Sequence, residues 1–312
     1  MKIFRTPFSD PGTIREPVCL AIGVFDGVHR GHQALIQALV RAAAEKNGVP
    51  ALATFDPHPR IVLHPEMPFH VLTSTTHKLR LFKTYGVGAV YLIPFSLPFA
   101  SLAPEDFLDK LHLACPTLAT VAVGEKWRFG SKREGSLDML RKKGEEHGFD
   151  VLEHTLADWD GRPVSSTRIR ESLKVPRLDE TRELLGRPFS LYGKVVRGNQ
   201  IGRTLGFPTV NLDCNHENLP KFGVYGGLAE LEDGSRHKTA IHIGPKPTVG
   251  IQVPTVEAHI LDFSGDLYEQ EIELHMFDFL RKEKSFDGVQ VLRRQIEEDV
   301  RRVRDGSFGV GF

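Results

Sequence analysis

The sequence predicts an α/β protein in two parts: a parallel β-sheet with helices, then a small antiparallel β-barrel with a C-terminal helix. In the first half, short apolar runs alternate with longer helical patterns, which is typical of βαβ units. In the second half, short β-like runs are separated by Gly and Pro, which favours a small barrel or sandwich. A chain of 312 residues exceeds the usual size of one core. We expect two domains, residues 1–185 and 186–312, joined near Arg187 and Pro188.

The first half contains four apolar runs that we interpret as strands of one sheet: VCLAIGVF at 18–25, PALATF at 50–55, AVYLIPF at 89–95 and TVAVG at 120–124. Helical patterns lie at 32–48, 77–86 and 136–148, and a further helix is expected to begin within SSTRIRESL at 165–173. Strands that alternate with helices in this way pair in parallel.

The second half has five β-like runs: LYGKVVRG at 191–198, GVYGGLAEL at 223–231, HKTAIHIG at 237–244, TVEAHILDF at 255–263 and YEQEIELHMF at 268–277. From about residue 285 to 305, apolar residues recur at helical spacing among charged ones, at Val289, Leu292, Ile296, Val300 and Val303. This period predicts an amphipathic helix that closes the chain.

Composition narrows the classes of function. Forty basic and forty acidic residues give a formal net charge of zero, whereas a nucleic-acid binder usually carries a basic excess. No apolar run approaches the roughly 20 residues of a membrane span, and the N-terminus lacks the pattern of a secretory signal. Cys19, Cys115 and Cys214 give neither a disulfide framework nor paired metal ligands. We expect a soluble, cytoplasmic protein with neither nucleic-acid nor membrane partners.

The clearest motif is GVFDGVHRGH at residues 23–32, where the first strand ends and a helix begins. In open α/β sheets, ligands bind at this edge. His29 and His32 are three residues apart, so on a helix they share a face beside the free N–H groups of the first turn. Such a pair suits phosphate oxygens, although histidines at a helix start are also common as capping or surface residues. The Gly-x-Gly-x-x-Gly pattern of a dinucleotide fold is missing, which argues against a dehydrogenase.

Three further segments in the first half hold candidate residues: TFDPHP at 54–59, GEKWRFG at 124–130 and SSTRIR at 165–170. Hydroxyls and N–H groups at a helix start can bind phosphate, with Arg adding positive charge. Taken alone, Ser-Ser-Thr before a helix is more often a simple N-cap, and capping is compatible with phosphate binding.

Together these segments resemble the nucleotidylyltransferase superfamily, in particular its flavin-adenylating branch, which implies a Rossmann-like domain. The resemblance implies that His29 and His32 contact ATP phosphates during catalysis. It also implies nucleotide or flavin binding by a set of surrounding residues: Gly23, Phe25, Asp26, Gly27, Phe129, Ser166, Thr167 and Arg170. The sequence departs from the family at Lys126 and Trp127, where the family carries Asp or Asn followed by Phe.

In the second half, residues 193–211 read GKVVRGNQIGRTLGFPTVN. Glycines 198, 202 and 206 leave backbone N–H groups open to a polyphosphate, although a Gly-rich loop alone is mostly a turn. Thr209 and Asn211 are two apart, so in an extended segment they point the same way and offer oxygens to one hard cation.

The stretch 193–211 resembles the riboflavin kinase signature, and PTVEAHILDF at 254–263 also fits that family. The resemblance implies that Gly198, Gly202 and Arg203 bind nucleotide, that Thr209 and Asn211 hold Mg²⁺ with ATP, and that Glu257 is the general base. A carboxylate is a sensible base, because a primary alcohol does not ionise at pH 7. His259 would face the same side, but we assign it a structural role.

Both modules in this order resemble the bifunctional bacterial riboflavin kinase/FAD synthetase family. The resemblance implies that riboflavin and ATP give FMN, that FMN and ATP give FAD, and that Mg²⁺ serves both steps. Two alternatives stay open. One is a riboflavin kinase whose N-terminal half binds nucleotide without efficient adenylation, motivated by Lys126 and Trp127. The other is a non-enzymatic flavin- or nucleotide-binding sensor.

Overall fold

The computed structural model describes residues 1–8, 14–155, 157–198, 201–214, 217–245 and 254–308, with the backbone alone at Ile201 and Arg203. The chain divides into two compact units. The N-terminal unit comprises Met1–Val71 and Lys78–Val164, and the barrel unit comprises Leu72–His77 and Ser165–Phe312. Each unit is described by itself below.

The N-terminal unit is built on a six-stranded sheet: β1 Lys2–Phe4, β2 Val18–Ile22, β3 Val49–Asp56, β4 Ala89–Pro94, β5 Leu118–Gly124 and β6 Asp150–His154. The strand order is β1-β4-β3-β2-β5-β6, and every neighbouring pair is parallel. All five residues of β2 are buried, as expected for a central strand covered on both faces. The strand ends that carry the first motif therefore lie in the middle of the sheet.

Helices connect these strands: α1 Arg30–Glu45, α2 Pro59–Leu63, α3 Thr75–Thr84, α4 Leu97–Ala100, α5 Pro104–Ala114 and α6 Leu137–His147. Helix α1 buries Leu35, Ile36, Leu39 and Ala43, which the helical period places on one face. Two short strands, β7 Asp158–Trp159 and β8 Arg162–Pro163, form a separate antiparallel pair.

The barrel unit contains six antiparallel strands that close on themselves: β9 Phe189–Val196, β10 Val210–Asp213, β11 Gly223–Glu230, β12 Arg236–Pro245, β13 Pro254–Ile260 and β14 Glu271–Lys282. The order around the barrel is β10-β13-β12-β11-β14-β9. Its helices are α7 Ser166–Lys174, α8 Leu178–Leu185, α9 Ile201–Thr204 and α10 Val289–Asp305. The expected fold class, a parallel sheet with helices followed by an antiparallel barrel and a C-terminal helix, is confirmed.

Strand β13 shows how the barrel positions a site on its outer surface. Val256, Ala258 and Ile260 are buried, whereas Glu257 and His259 between them are only half-buried. Because alternate residues of a barrel strand face the interior, the apolar set fills the core and the polar set faces outward. The outward set lies beside α10, which packs on β11 and β12.

Helix α10 begins at Val289, four residues after the start expected from the sequence. Val303 is fully buried, but Val289 is 61% exposed, because it is the first residue of the helix and lies beyond the packed face. A charge pair fixes the helix to the barrel, with Arg281 Nη2 2.8 Å from Asp299 Oδ2.

A buried ion cluster joins the segment Leu72–His77 to the barrel strands. His77 Nδ1 lies 3.0 Å from Glu217 Oε1, and its Nε2 lies 3.2 Å from Glu273 Oε1. Ser190 donates to the same Glu273 oxygen at 2.7 Å. Burial alone would lower the pKa of His77, but the two carboxylates outweigh it and raise the pKa to about 9. The imidazolium therefore forms part of the core of the barrel unit at neutral pH.

Helices α7 and α8 also belong to the barrel unit. Arg168 Nε donates to Glu180 Oε1 at 3.2 Å, and the hydroxyls of Ser172 and Thr181 are 2.7 Å apart. Helix α8 in turn packs on β9 and β14. Among the described residues, no helix combines the length and the apolar character needed to cross a membrane.

Candidate active sites

The loop between β2 and α1 has an unusual backbone. Phe25 (φ 52°), Gly27 (φ 83°) and Val28 (φ 41°) all lie in the left-handed region. Glycine adopts this conformation freely, whereas Phe and the β-branched Val do so only under strain. Strain of this kind persists where the surrounding structure imposes it, often at functional sites.

The carbonyl of Val24 anchors this loop. It accepts hydrogen bonds from the Thr54 hydroxyl at 3.1 Å and from Lys78 Nζ at 3.3 Å. Lys78 is 4% exposed, and burial lowers its pKa against the opposing effect of the Asp26 and Asp56 carboxylates. No pattern in the sequence singled out Lys78, because its role depends on a contact with a residue 54 positions away.

His29 and His32 lie side by side at the start of α1. Their ring centroids are 3.6 Å apart at 15°, and the edge of Phe25 packs against His32 at 5.2 Å. His29 is the N-cap, with Nδ1 accepting from the backbone N–H of His32 at 3.4 Å. The pair therefore stands at the positive end of the helix dipole, where negative charge is stabilised. Contact with ATP phosphates stays a prediction.

A cavity of about 570 Å³ opens beside Gly23 and Val24 in the N-terminal unit. Aromatic side chains form much of its wall: Phe55, Phe95, Phe99, Phe107, Trp127 and Phe129. Trp127 stacks on Phe129 with ring centroids 4.5 Å apart at 20°. The volume and the aromatic lining fit a planar heteroaromatic ring system.

In the barrel unit, Thr209, Asn211 and Glu257 meet on the outer face of the wall. Asn211 in β10 is the direct cross-strand partner of Glu257 in β13. The Thr209 hydroxyl donates to Glu257 Oε2 at 3.4 Å. Side chains at directly opposed positions share a face, so a carboxylate, an amide and a hydroxyl converge. The role of each stays a prediction.

Two glycines close over this cluster. A Cβ on Gly198 would overlap the side-chain amide of Asn211, and a Cβ on Gly202 would overlap the carbonyl of Phe207 and lie 3.3 Å from Thr209 Oγ1. Backbone therefore approaches both oxygen donors more closely than any other residue type allows. The side chain of Arg203, the third residue predicted to bind nucleotide here, lies outside the described residues.

A cavity of about 370 Å³ lies next to the cluster, bounded by the outer face of the barrel and by Leu292, Ile296 and Val300 of α10. Glu257 and Thr209 line one side. His259 also lines it, with Nδ1 2.8 Å from the carbonyl of Pro208 and its ring edge-on to Phe207 at 5.6 Å. A further cavity of about 400 Å³ shares Thr209 and is lined by Asp266, Leu267 and Tyr268. Thr209 thus stands where two cavities meet.

Ser166, Thr167 and Arg170 lie in the first turns of α7, in the barrel unit. Ser165 caps this helix by accepting from the backbone N–H of Arg168 at 3.3 Å, and Arg170 Nη1 donates to the carbonyl of Ser166 at 3.3 Å. Capping, one of the two interpretations of this motif, is therefore observed at Ser165. Phosphate binding by the neighbouring residues stays a prediction.

Comparison with known proteins accounts for both halves of the chain. A family model for FAD synthetase matches residues 13–168, and a family model for riboflavin kinase matches residues 185–306. The bifunctional riboflavin kinase/FMN adenylyltransferase of Escherichia coli strain K12 is 34% identical over 306 residues, which cover 98% of this chain and 97% of that protein. The chain belongs to the bifunctional riboflavin kinase/FMN adenylyltransferase family.

Other members of the riboflavin kinase/FMN adenylyltransferase family are equally similar. The Listeria monocytogenes protein of that name is 35% identical over 288 residues, covering 91% of each chain. A crystal structure of a Streptococcus pneumoniae protein, described as a macrolide-efflux protein, matches with a TM-score of 0.83 at 29% identity over 98% of this chain and 99% of that one. Both units therefore have counterparts in a solved structure.

The family models leave residues 169–184 between them, and this stretch holds most of α7 and of α8. By contacts, the barrel unit begins at Ser165. The boundary expected between residues 185 and 186 concerns where the adenylyltransferase and kinase functions separate. For this member of the riboflavin kinase/FMN adenylyltransferase family, it stays a prediction.

Proposed function

We propose that this chain makes both flavin cofactors: the barrel unit phosphorylates riboflavin to FMN, and the N-terminal unit transfers AMP from ATP to FMN to form FAD. The observation that carries the proposal is the convergence of Thr209, Asn211 and Glu257 beside a cavity on the barrel wall. The relatives that match nearly the whole chain are named for the same two activities.

In the kinase step, Glu257 accepts the proton of the riboflavin 5′-hydroxyl as that oxygen bonds to the γ-phosphorus of ATP. The bond from the γ-phosphorus to its bridging oxygen breaks, and ADP leaves. A positioned base contributes about 10²–10⁴-fold to such a step. The hydrogen bond from Thr209 holds the carboxylate of Glu257 in orientation.

The chemistry of the oxygen donors in the same cluster fits a magnesium ion. Mg²⁺ prefers hard oxygen ligands, and Thr209 and Asn211 offer a hydroxyl and an amide oxygen next to the backbone of Gly198 and of Gly202, where a Cβ would intrude. The ion would neutralise the charge of the transferring phosphates. In this proposal Thr209 and Asn211 hold it, and the open backbone admits the nucleotide.

In the adenylyl step, a phosphate oxygen of FMN bonds to the α-phosphorus of ATP, and the bond to the bridging oxygen of the β-phosphate breaks to release pyrophosphate. His29 and His32 donate hydrogen bonds to the charge that builds on the phosphate oxygens. No protein nucleophile is needed, because the nucleophile belongs to FMN. The aromatic cavity beside Gly23 is the proposed site for the isoalloxazine ring.

The direct test is to incubate the purified chain with riboflavin, ATP and Mg²⁺, and to resolve FMN from FAD by chromatography over time. FMN should accumulate first and FAD should follow, with equal amounts of FAD and pyrophosphate. FMN without FAD would support the kinase-only alternative, for which Lys126 and Trp127 in the cavity wall are the motivating observation. Binding without any product would support a sensor.

We further propose that the enzyme acts in the cytoplasm on small molecules alone. Cys19, Cys115 and Cys214 are buried thiols, which suits a reducing compartment. The formal net charge of zero offers nothing that favours a nucleic-acid partner.

A further inference from the structure

Helix α3 contacts the strained loop after β2 with two side chains that lie one helical turn apart. Lys78 is 4% exposed, and its Nζ donates to the carbonyl of Val24 at 3.3 Å. Phe82 is fully buried and packs edge-on against Phe25, with ring centroids 5.6 Å apart. All four residues belong to the N-terminal unit. Because residues i and i+4 of a helix share a face, one face of α3 holds both the backbone and the ring of the loop.

The carbonyl of Val24 controls the backbone conformation of Phe25. A peptide bond is planar, so turning the plane that contains the Val24 carbonyl also changes the φ of Phe25. This φ is 52°, a left-handed value that residues with side chains adopt at a cost. Rotation of the plane would relieve the strain, but it would break the hydrogen bonds that Val24 accepts from Lys78 and Thr54. The two donors therefore hold Phe25 in a conformation that it would otherwise leave.

Phe25 connects this held conformation to the histidine pair. Its ring edge packs against His32 at 5.2 Å, and the rings of His32 and His29 are stacked 3.6 Å apart. The backbone gives a second connection, since Val28 N–H donates to the Phe25 carbonyl at 3.2 Å. Gln33 Nε2 in turn donates to the carbonyl of Val28 at 2.8 Å. A continuous set of contacts thus runs from α3 to the first turn of α1.

We propose that Lys78 is a positioning residue for adenylyl transfer. By holding the Val24 carbonyl, it keeps Phe25 against the histidine pair and fixes where the two imidazoles donate to phosphate. Its side chain is buried and engaged with the loop backbone, so it acts through the loop. The inference rests on the proposed role of His29 and His32 and adds the residue that aligns them. Alignment matters because a misplacement of about 1 Å can cost about 10²-fold in rate.

The position of the histidine pair can be measured without any substrate. The full chain is labelled with ¹³C in the histidine rings, and the ring C–H resonances are recorded by NMR. The chain has 14 histidines, so the resonances of His29 and His32 are assigned from His29→Asn and His32→Asn. Stacked rings shift each other's resonances, which makes these signals sensitive to a change in the stacking. FAD formation from supplied FMN and FMN formation from riboflavin are then measured on each preparation.

Three variants separate the role of Lys78 from general effects. Lys78→Met keeps an unbranched side chain and removes the N–H donors. Thr54→Val removes the other donor to the Val24 carbonyl with little change in shape, and it leaves the charge of Lys78 in place. The matched control is Lys83→Met, which replaces an exposed lysine of the same helix. If Lys78→Met does not fold, Thr54→Val carries the same test.

We expect Lys78→Met to move the resonances of His29 and His32 and to lower kcat for FAD formation at least about tenfold. KM for FMN and ATP should stay within about threefold, because the histidines act on charge that develops in the transition state. Thr54→Val should act in the same direction, whereas Lys83→Met should change neither readout. FMN formation should stay at the parental rate in every variant.

A double-mutant cycle shows whether Lys78 acts through the histidine pair. In a chain that already carries His29→Asn and His32→Asn, Lys78→Met should cost less than about twofold, because no pair is left to align. An undiminished loss in that chain would overturn the inference, as would unchanged histidine resonances or parental FAD formation in folded Lys78→Met. A parent chain that makes no FAD would contradict the proposed function, and the NMR result would still decide whether Lys78 holds the pair.

Discussion

At the scale of single residues, His29 combines two roles that a substitution can separate. It caps α1 through Nδ1, and in the proposed reaction it donates to a phosphate. Asn retains the capping ability of the position, whereas Ala loses about 1 kcal/mol of helix stability. We predict that His29→Asn with His32→Asn lowers the rate of FAD formation from supplied FMN by at least about 10²-fold. The shorter amide cannot place its N–H where the imidazole N–H donates, and each lost donor to developing charge costs about that factor.

The same double variant should form FMN from riboflavin at the parental rate. Both rates are measured by chromatography on one preparation, with thermal unfolding as the check on folding. If a folded variant lost both activities, independent sites would be wrong.

Glu257→Gln tests the other site with an almost isosteric change. The amide can still accept the hydrogen bond from Thr209 but cannot take up a proton. We predict a fall of about 10²–10⁴-fold in FMN formation, the range for loss of a general base, and no change in FAD formation from supplied FMN. The measurement is the initial rate of FMN formation from riboflavin and of FAD formation from supplied FMN. Kinase activity within a few-fold of the parent would exclude Glu257 as the base.

His77 gives the barrel unit a defined dependence on pH. Its folded-state pKa of about 9 lies above the ordinary value of 6.5. The stabilisation is therefore complete below pH 6.5 and is lost as the pH rises through about 9. We predict that hydrogen exchange of β9 and β14, corrected for intrinsic rates, shows protection falling between pH 7 and 9.5. In His77→Gln protection should be lower at pH 7 and nearly flat over that range; an unchanged slope would contradict the assignment.

At the scale of elements, the two glycines of the kinase loop are the features most sensitive to one methyl group. Gly198→Ala places a Cβ on the amide of Asn211, and Gly202→Ala places one on the carbonyl of Phe207. We predict that each lowers FMN formation by at least about tenfold, because the loop must move away from Thr209 and Asn211. Gly206→Ala is the control in the same loop: its φ of 90° brings strain, but its Cβ would meet no atom within 4 Å. Equal losses in all three variants would indicate general loop strain.

Local sequence patterns predict the elements well and their partners poorly. The alternation of apolar runs and helical patterns is enough for the parallel sheet, because β2 is apolar throughout and α1 repeats its apolar residues every three or four positions. The period of two in β13 also places Glu257 opposite to Val256. It cannot show that Asn211 is its cross-strand partner, since pairing of β10 with β13 depends on how a barrel closes.

The same holds for the candidate sites: residues brought together by local structure can be predicted from the sequence, and residues brought together by tertiary packing cannot. Motifs with fixed spacing, such as His29 and His32, can be found from the sequence. A spacing of three residues at the start of a helix is enough to place both side chains on one face. Lys78 and the α10 wall of the barrel cavity could not, since each reaches its site through tertiary packing over tens of residues. The sequence alone favours a structural role for His259, because one histidine in a strand pattern carries little information. Only the fold places it on the cavity wall.

At the scale of the whole molecule, the compact units do not follow the order of the sequence. The segment Leu72–His77 belongs to the barrel unit although it lies within the first half of the chain. Its contribution is specific: Ser74 N–H donates to Glu217 at 2.8 Å, and His77 pairs with Glu217 at 3.0 Å. A fragment that begins at Ser165 has all six barrel strands and lacks both of these partners.

We therefore predict that Glu217→Gln acts with opposite sign in the two contexts. In the full chain it removes one carboxylate from a buried imidazolium and should destabilise the barrel unit, since breaking a buried pair costs about 3–5 kcal/mol. In the fragment 165–312, the carboxylates of Glu217 and Glu273, which both contact His77 in the full chain, have lost the cation between them. The amide should relieve their repulsion and raise the midpoint of urea unfolding. Hydrogen exchange of β9 and β14 reports the full chain, and circular dichroism reports the fragment. Destabilisation of both by the same amount would show that the Leu72–His77 segment contributes nothing to the charge balance of the barrel core.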